Sequence, residues 1–175
     1  ALQSYREALL TTSTATAPTL VADIHYRIGN VLFRQQKYQP SLQSYRKALI
    51  VLQEKGAVEN VGLVRNSMGI VYQMLGQIES AREQFLLTLE IRRQIGDQAG
   101  EVRALVNLGS TYLTQGRYPE ALDYYEQAKR LSETVRDQPL RNHGAVLTHI
   151  GSLYGELGQY KKALDLHRQA LELYE

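Results

Sequence analysis

Apolar residues recur at helical spacing in two neighbouring stretches of the chain, and residues 102–131 show the pattern most clearly. The first stripe is Val102, Leu105, Val106, Leu108, Tyr112 and Leu113, and the second is Tyr118, Ala121, Leu122, Tyr125, Ala128 and Leu131. A period of three to four residues predicts amphipathic helices. Between the stripes, Gly116 suits a left-handed helix end and Pro119 suits the first turn of the next helix. The pattern therefore predicts a helical hairpin.

The same pattern returns four times around a glycine with similar neighbours. The four glycines lie 40, 40 and 42 residues apart, and they are Gly29, Gly69, Gly109 and Gly151. Twelve residues after each glycine comes a small residue, and sixteen residues after it comes a ring, namely Tyr45, Phe85, Tyr125 or His167. Four repeats are therefore predicted, at residues 17–56, 57–96, 97–137 and 138–175.

The N-terminus follows the register of a second helix. Its sequence ALQSYREAL matches SLQSYRKAL at residues 41–49. We therefore expect residues 1–16 to be the second helix of an incomplete repeat, and the chain to be a segment of a larger protein.

A glycine inside a helix costs ~1 kcal/mol relative to alanine, so its return in every repeat requires a packing reason. We expect the small residue twelve positions later, such as Ala121 after Gly109, to let two helix backbones approach closely. The large side chains three, nine and sixteen positions after each glycine then fill the surrounding space. Most of the tyrosines lie at these offsets, so we predict that they are packing residues.

The recurring order of small residue, tyrosine, glycine-x-tyrosine, alanine, ring and alanine resembles the tetratricopeptide repeat, over essentially the whole chain. The period of 40 to 42 residues is similar to the extended subclass found in Pins-type polarity adaptors, kinesin light chains and bacterial signalling proteins. The resemblance implies an all-α fold, a right-handed superhelical solenoid of antiparallel helix pairs. It also implies a protein-binding role as a scaffold or adaptor.

Charge and composition narrow the classes of function. Lys plus Arg is 20 and Asp plus Glu is 18, which gives a formal charge of +2, and there is no Cys. The small charge disfavours a nucleic-acid partner, and the lack of Cys excludes disulfides, thiolate nucleophiles and Cys-ligated zinc. No apolar run approaches the ~18 residues of a membrane span, so we expect no membrane partner. We expect the protein to be cytoplasmic.

No motif indicates catalysis. The four histidines, His25, His143, His149 and His167, form neither HExxH nor any i, i+4 pair, so no metal site is expected. Neither the P-loop pattern nor GxGxxG occurs, so the sequence gives no support for nucleotide binding. We therefore expect a non-catalytic protein that needs no cofactor.

The resemblance also implies that the first helices line a concave groove, with side chains at six fixed offsets from each glycine pointing into it. The polar candidates for peptide binding are Tyr26, Arg27, Asn30, Arg34, Asn66, Gln73, Arg103, Asn107, Ser110 and His149. Other positions of this groove include Asp23, Phe33, Leu63, Ser67, Ile70, Met74 and Val106. Amides can bind a peptide backbone and guanidinium groups can bind carboxylates. We therefore predict a peptide or protein partner, with a preference for acidic residues near Arg27, Arg34 and Arg103.

One specific groove chemistry fits poorly. In the carboxylate clamp of chaperone-tail adaptors, Asn30 and Arg103 would match. The remaining positions hold Tyr26, Ser67 and Asn107 where a Lys, an Asn and a basic residue belong. Two matches of five are too few, so chaperone-tail binding is not expected.

Two alternatives to a free-standing adaptor stay open. The array could be a sensor or autoinhibitory arm of a multidomain signalling enzyme, such as a bacterial NTPase switch or a caspase-like protease. It could also self-associate, because the terminal helices carry apolar side chains that an incomplete array would leave uncovered. Those side chains are Leu2, Tyr5 and Leu9 in the first helix and Leu166, Leu171 and Leu173 in the last.

Overall fold

The helices follow one another with short turns between them. This computed structural model describes residues 2–11, 17–134 and 139–174, which contain no strand. The helices in these residues are α1 (Leu2–Thr11), α2 (Pro18–Arg34), α3 (Tyr38–Glu54), α4 (Val58–Met74), α5 (Ile78–Gln94), α6 (Gln98–Thr114), α7 (Tyr118–Ser132), α8 (Pro139–Glu156) and α9 (Tyr160–Glu172). The predicted all-α fold is confirmed.

The chain divides into two compact units, residues 1–91 and 92–175. In the first unit, α1 packs against α2, α2 against α3 and α3 against α4. In the second, α6 packs against α7, α7 against α8 and α8 against α9. Each unit is therefore built from helices that contact their neighbours in sequence. These contacts do not decide where one repeat ends and the next begins, so the repeat boundaries stay predictions.

Left-handed residues end the helices, as the sequence predicted for Gly116. The φ angle of Gly116 is +70°, and its N–H donates to the carbonyl of Leu113 at 2.9 Å. The N–H of the next residue, Arg117, donates to the carbonyl of Tyr112 at 3.0 Å. Pro119 lies in the first turn of α7, as predicted. Gln36, with φ at +58°, is the one non-glycine residue in the described ranges that adopts a positive φ.

A ring lies directly on the central glycine of each first helix. A β-carbon on Gly109 would overlap the ring of Tyr125, which is completely buried. The same overlap would occur between Gly29 and Tyr45, and between Gly69 and Phe85. From the sequence, we expected the small residue at offset twelve to explain why glycine is needed. In the structure, the ring at offset sixteen leaves no room for a side chain at the glycine.

The small residue at offset twelve has a supporting role. The hydroxyl of Ser41, which is fully buried, donates to the carbonyl of Gly29 at 2.8 Å. Ala121 is also fully buried at the matching position after Gly109. Both residues keep the second helix close to the first, so that the ring of the second helix reaches the glycine.

An ion pair with one buried partner joins Arg92, near the end of α5, to Asp97 within the second unit. Arg92 is 6% exposed, and its Nη1 lies 3.1 Å from Oδ2 of Asp97. Asp97 is also the N-cap of α6, because its Oδ1 accepts the backbone N–H of Gly100 at 2.7 Å. A β-carbon on Gly100 would meet both side chains. In the turn at Gly96 and Asp97, one carboxylate therefore both pairs with a guanidinium and caps a helix.

The terminal helices differ in how they are covered. Leu2 and Tyr5 of α1 are half-buried and pack against a cluster of Ile24, Ile28 and Leu32 on α2. The side chain of Leu9 lies outside the described residues. In α9, Leu171 is 59% exposed, while Leu166 and Leu173 are half-buried. Self-association through these helices stays a prediction.

Replacing Gly109 with alanine is expected to destabilise the protein by about 1–3 kcal/mol, because the new β-carbon must displace the buried Tyr125 ring. The matched control is Gly155→Ala in α8, where a β-carbon meets nothing within 4 Å. That change should be neutral or stabilising by up to about 1 kcal/mol, as alanine is the better helix former. Urea denaturation followed by circular dichroism measures both. Equal stabilities of the two variants would contradict the packing account.

Asp97→Asn is expected to lower stability by about 1–3 kcal/mol, because asparagine still caps α6 but leaves the buried Arg92 guanidinium unpaired. Glu120→Gln is the control, since it removes a carboxylate from a solvent-exposed pair with Arg117. The control should unfold at the same urea concentration as the parent chain. An Asp97→Asn variant that also matched the parent would show that the ion pair adds nothing.

Candidate functional site

A depression of about 310 Å³ opens between α2 and α4 in the first unit. Its lining residues are Asn30, Phe33, Arg34, Tyr45, Ser67 and Ile70. Five of these are positions that the sequence placed in the groove, and two of them, Asn30 and Arg34, were predicted peptide-binding residues. The sixth, Tyr45, had been predicted only as a packing residue. We call this depression the polar pocket.

Tyr45 fixes the orientation of Asn30. The hydroxyl of Tyr45 donates to Oδ1 of Asn30 at 2.6 Å. Burial raises the pKa of Tyr45 to about 12, so the phenol keeps its proton at neutral pH and remains the donor. Because the amide oxygen is occupied in this way, the NH2 group of Asn30 is left to donate to a ligand.

Arg34 supplies a cation at the same pocket. It lies in the last turn of α2 and is exposed, and it forms no ion pair or hydrogen bond with the part of the chain that the structure describes. Arg27, about two helical turns away on α2, is different because its Nε lies 2.6 Å from Oδ2 of Asp23. The carboxylate of Asp23 offsets the charge of Arg27, so Arg34 is the better candidate to bind an anion.

A second, smaller depression of about 50 Å³ lies further towards the N-terminal ends of α2 and α4. It is lined by Thr19, Ala22, Asp23, Tyr26, Leu52, Asn60, Leu63 and Val64. Half of these side chains are aliphatic, and the one carboxylate among them, Asp23, is paired with Arg27. We call it the apolar pocket after Ala22, Leu52, Leu63 and Val64, although Thr19, Tyr26 and Asn60 also line it.

Two hydroxyl groups lie between the pockets. Tyr26 lines the apolar pocket and Ser67 lines the polar pocket, and their oxygens are 3.4 Å apart. The Ser67 hydroxyl donates its single proton to the carbonyl of Leu63 at 3.2 Å. In the contact between the two oxygens, Tyr26 is therefore the donor, and its oxygen keeps a lone pair as an acceptor.

In the second unit, two of the predicted binding residues, Ser110 and His149, contact one buried ring, that of Tyr125. The hydroxyls of Ser110 and Tyr125 are 3.1 Å apart, and the imidazole of His149 stacks on Tyr125 with ring centres 5.7 Å apart. Burial lowers the pKa of His149 below its ordinary value, so the ring is neutral at pH 7. Ser110 on α6 and His149 on α8 are thus brought together by a residue of α7.

The other predicted residues are spread over the first helices. Arg103 is exposed, while Asn66, Gln73 and Asn107 are half-buried. Val106 is only 8% exposed, so this predicted groove position belongs to the core instead. The role of the four polar residues in binding stays a prediction.

A regular spacing in the sequence could have predicted the hydrogen bonds of the tyrosine hydroxyls. Asn30 and Tyr45 are fifteen residues apart, and so are Ser110 and Tyr125. In the second predicted repeat, the same two positions hold Ile70 and Phe85, neither of which has a polar side chain. A hydrogen-bonding groove residue therefore accompanies tyrosine, and an apolar one accompanies phenylalanine.

Neither a metal site nor a membrane span is found in residues 2–11, 17–134 and 139–174. No group of three or more His, Asp or Glu side chains there could hold a metal ion. No helix in those ranges is both long and apolar enough to cross a bilayer.

The sequence model of the tetratricopeptide repeat matches residues 20–94, 60–134 and 100–175. The chain belongs to the tetratricopeptide repeat family. Among curated proteins, this tetratricopeptide repeat chain is 27% identical over 129 residues to the human SH3 domain and tetratricopeptide repeat-containing protein 2. The match takes in 62% of the chain but only 10% of that relative, so the chain spans about a tenth of its length.

Solved structures share the tetratricopeptide fold. BtubC from P. vanneervenii has a TM-score of 0.83 at 20% identity, covering 97% of this chain and 70% of that one. A Rap protein complexed with Competence and Sporulation Factor also has a TM-score of 0.83, at 17% identity, covering 98% of this chain and 48% of that one. Aspartyl phosphate phosphatase F from Bacillus subtilis has a TM-score of 0.78 at 18% identity, covering 87% and 39%. At these identities the likeness shows the fold alone.

The half-buried His149 is expected to make the protein less stable in mild acid. The unfolded chain binds a proton at His149 below about pH 6.5, whereas the folded chain resists it, so stability falls as the pH drops below that value. His149→Gln should reduce this slope by at most about 1.4 kcal/mol per pH unit. Urea denaturation between pH 7.5 and 5 measures it, and identical slopes for the variant and the parent would contradict the expectation.

Proposed function

We propose that this chain is a non-catalytic protein-interaction module that binds a segment of a partner protein between its first helices. The observation that carries the proposal is the polar pocket. Two donors point to one open depression, because the Asn30 oxygen is occupied by Tyr45 and Arg34 is unpaired within the described residues. Acceptor groups such as a carboxylate or a peptide carbonyl complement these donors.

The apolar wall of the pocket adds to the polar contacts. Phe33 is half-buried and its ring lies 5.9 Å from that of Tyr38, which holds it in place. Ile70 lies on the opposite side, on α4. A side chain entering the pocket would therefore lose water on both sides, and the hydrogen bonds from Asn30 and Arg34 would strengthen.

Family membership and the solved relatives support the same proposal. Tetratricopeptide arrays offer a preformed surface, so a partner can bind without a large cost of ordering the receptor. The Rap structure is of a complex with Competence and Sporulation Factor, which shows that a protein of this fold holds a bound partner.

A second candidate is a sensor or autoinhibitory arm of a signalling enzyme. It is favoured by the match to Aspartyl phosphate phosphatase F, of which this chain spans 39%. The full open reading frame separates the two candidates. A catalytic domain beside the array would favour the arm, and an array without one would favour the adaptor.

Arg34→Gln is expected to weaken peptide binding by about tenfold, because it removes one charge-assisted hydrogen bond. Peptides are first selected from a displayed library of random 12-residue sequences, and their affinities are then measured by fluorescence anisotropy. Lys55→Gln is the control, since Lys55 is an exposed cation of the same unit that lines neither pocket.

A second variant removes the other donor without leaving a buried hydroxyl unpaired. Asn30→Ile combined with Tyr45→Phe reproduces the pair that Ile70 and Phe85 already form in this chain, so folding is expected to be kept. It should weaken the selected peptides by about tenfold as well. Failure to select any peptide, or unchanged affinity in both variants, would overturn the proposal.

A further inference from the structure

The two pockets lie along the same two helices, not across them. The polar and apolar pockets are both lined by α2 and by α4. We call the strip that contains them, from Thr19 to Arg34 on α2 and from Asn60 to Ile70 on α4, the α2–α4 furrow. A ligand that fills both pockets must run lengthwise in this furrow, parallel to the helices.

The spacing of the pockets follows from the positions that line them. On α2 the centres of the two lining sets are about ten residues apart, which is ~15 Å at 1.5 Å per residue. On α4 the centres are about six residues apart, which is ~9 Å. The pocket centres are thus about 12 Å apart.

The hydroxyls between the pockets favour an extended ligand. The oxygen of Tyr26 retains a lone pair that can accept a backbone N–H, since its proton is used on Ser67. Inside a helix the backbone N–H groups are already bonded to carbonyls, whereas an extended segment presents them. An extended chain also places side chains on one face only at every second residue, ~6.6 Å apart. Four residues, ~13 Å, is the even separation that matches the pockets.

The two pockets differ in the side chain that each accepts. The apolar pocket is small, and its aliphatic wall includes Ala22, Leu63 and Val64. Its carboxylate, Asp23, is held by Arg27, so it offers no unpaired charge to a cation. The polar pocket offers the amide NH2 of Asn30 and the guanidinium of Arg34. One pocket therefore suits an aliphatic side chain and the other suits a carboxylate.

We infer that the α2–α4 furrow binds an extended segment carrying an aliphatic residue and an acidic residue four positions apart. This inference rests on the proposed function and names the ligand of the same site. The aliphatic side chain enters the apolar pocket and the carboxylate binds Asn30 and Arg34. The backbone between them donates to Tyr26.

The test uses blocked Ser/Thr peptides that carry one leucine and one glutamate, so that no terminal charge interferes. The glutamate is placed two, four or six residues from the leucine, in both orders along the chain. Affinities are measured from amide chemical shifts of the labelled protein. The better order at a spacing of four should bind at least about threefold more tightly than spacings of two and six.

Paired changes in the peptide and the protein identify the pockets. Replacing the peptide glutamate with glutamine should weaken binding about threefold or more in the parent chain but have no effect in Arg34→Gln. Replacing the peptide leucine with alanine should matter in the parent chain but not in Leu63→Ser. Ile50→Ser is the control for the latter, because Ile50 is 57% exposed and lines neither pocket.

The outcomes separate this inference from the proposed function. Equal affinity at all three spacings, or a glutamine effect that persists in Arg34→Gln, would overturn the inference. So would the absence of any shift at millimolar peptide. If library-selected peptides still bind through Arg34 and Asn30, the proposed function stands without it. If they do not, both fail.

Discussion

The contact between a central glycine and a buried ring is the interaction on which each helix pair depends. Gly29, Gly69 and Gly109 have no side chain because the rings of Tyr45, Phe85 and Tyr125 occupy the space where a β-carbon would lie. Glycine weakens a helix interior by ~1 kcal/mol, which burial of a large ring offsets. The small residues at offset twelve bring the second helix near enough for this contact.

The same rings extend from the core to the surface where binding is proposed. A tyrosine at this position spans the helix pair and ends in a hydroxyl, which forms a hydrogen bond with Asn30 or Ser110 on the first helix. With Phe85, the matching surface residue is Ile70, which has no polar group. The ring therefore does two things: it fills the core, and it determines whether the surface above it can hold a polar group in one orientation.

The arginine side chains differ in whether a carboxylate pairs with them. The net charge of +2 is too small to attract a partner over a long distance, so specificity depends on local contacts. Arg27 is paired with Asp23, and the buried Arg92 is paired with Asp97. Arg34 differs from both, since it lies exposed beside a pocket with an apolar wall. Its position beside Asn30, more than its charge alone, makes it the candidate anchor.

The sequence by itself determined the helix pairs. The recurring glycine, the apolar stripes and the left-handed turn at Gly116 are features of a repeat or of a few adjacent residues, so they can be read along the chain. The contact of each ring with the glycine sixteen residues before it was seen only in the structure. The resemblance to the family rests on the same recurring residues, and the face that carries the candidate residues is what that resemblance implies. Reasoning of this kind identified Asn30 and Arg34 but could not distinguish them from Arg27 or Asn107.

The tertiary structure decided which candidates line the same depression. The pairing of Tyr45 with Asn30, the burial of Val106 and the two pockets between α2 and α4 depend on side chains from different helices meeting in space. Offsets within one helix give the face on which a residue lies, but not the depth to which a neighbouring helix covers it. The family resemblance therefore predicted where binding groups could be, and only packing between helices showed which of them are buried and which line a depression.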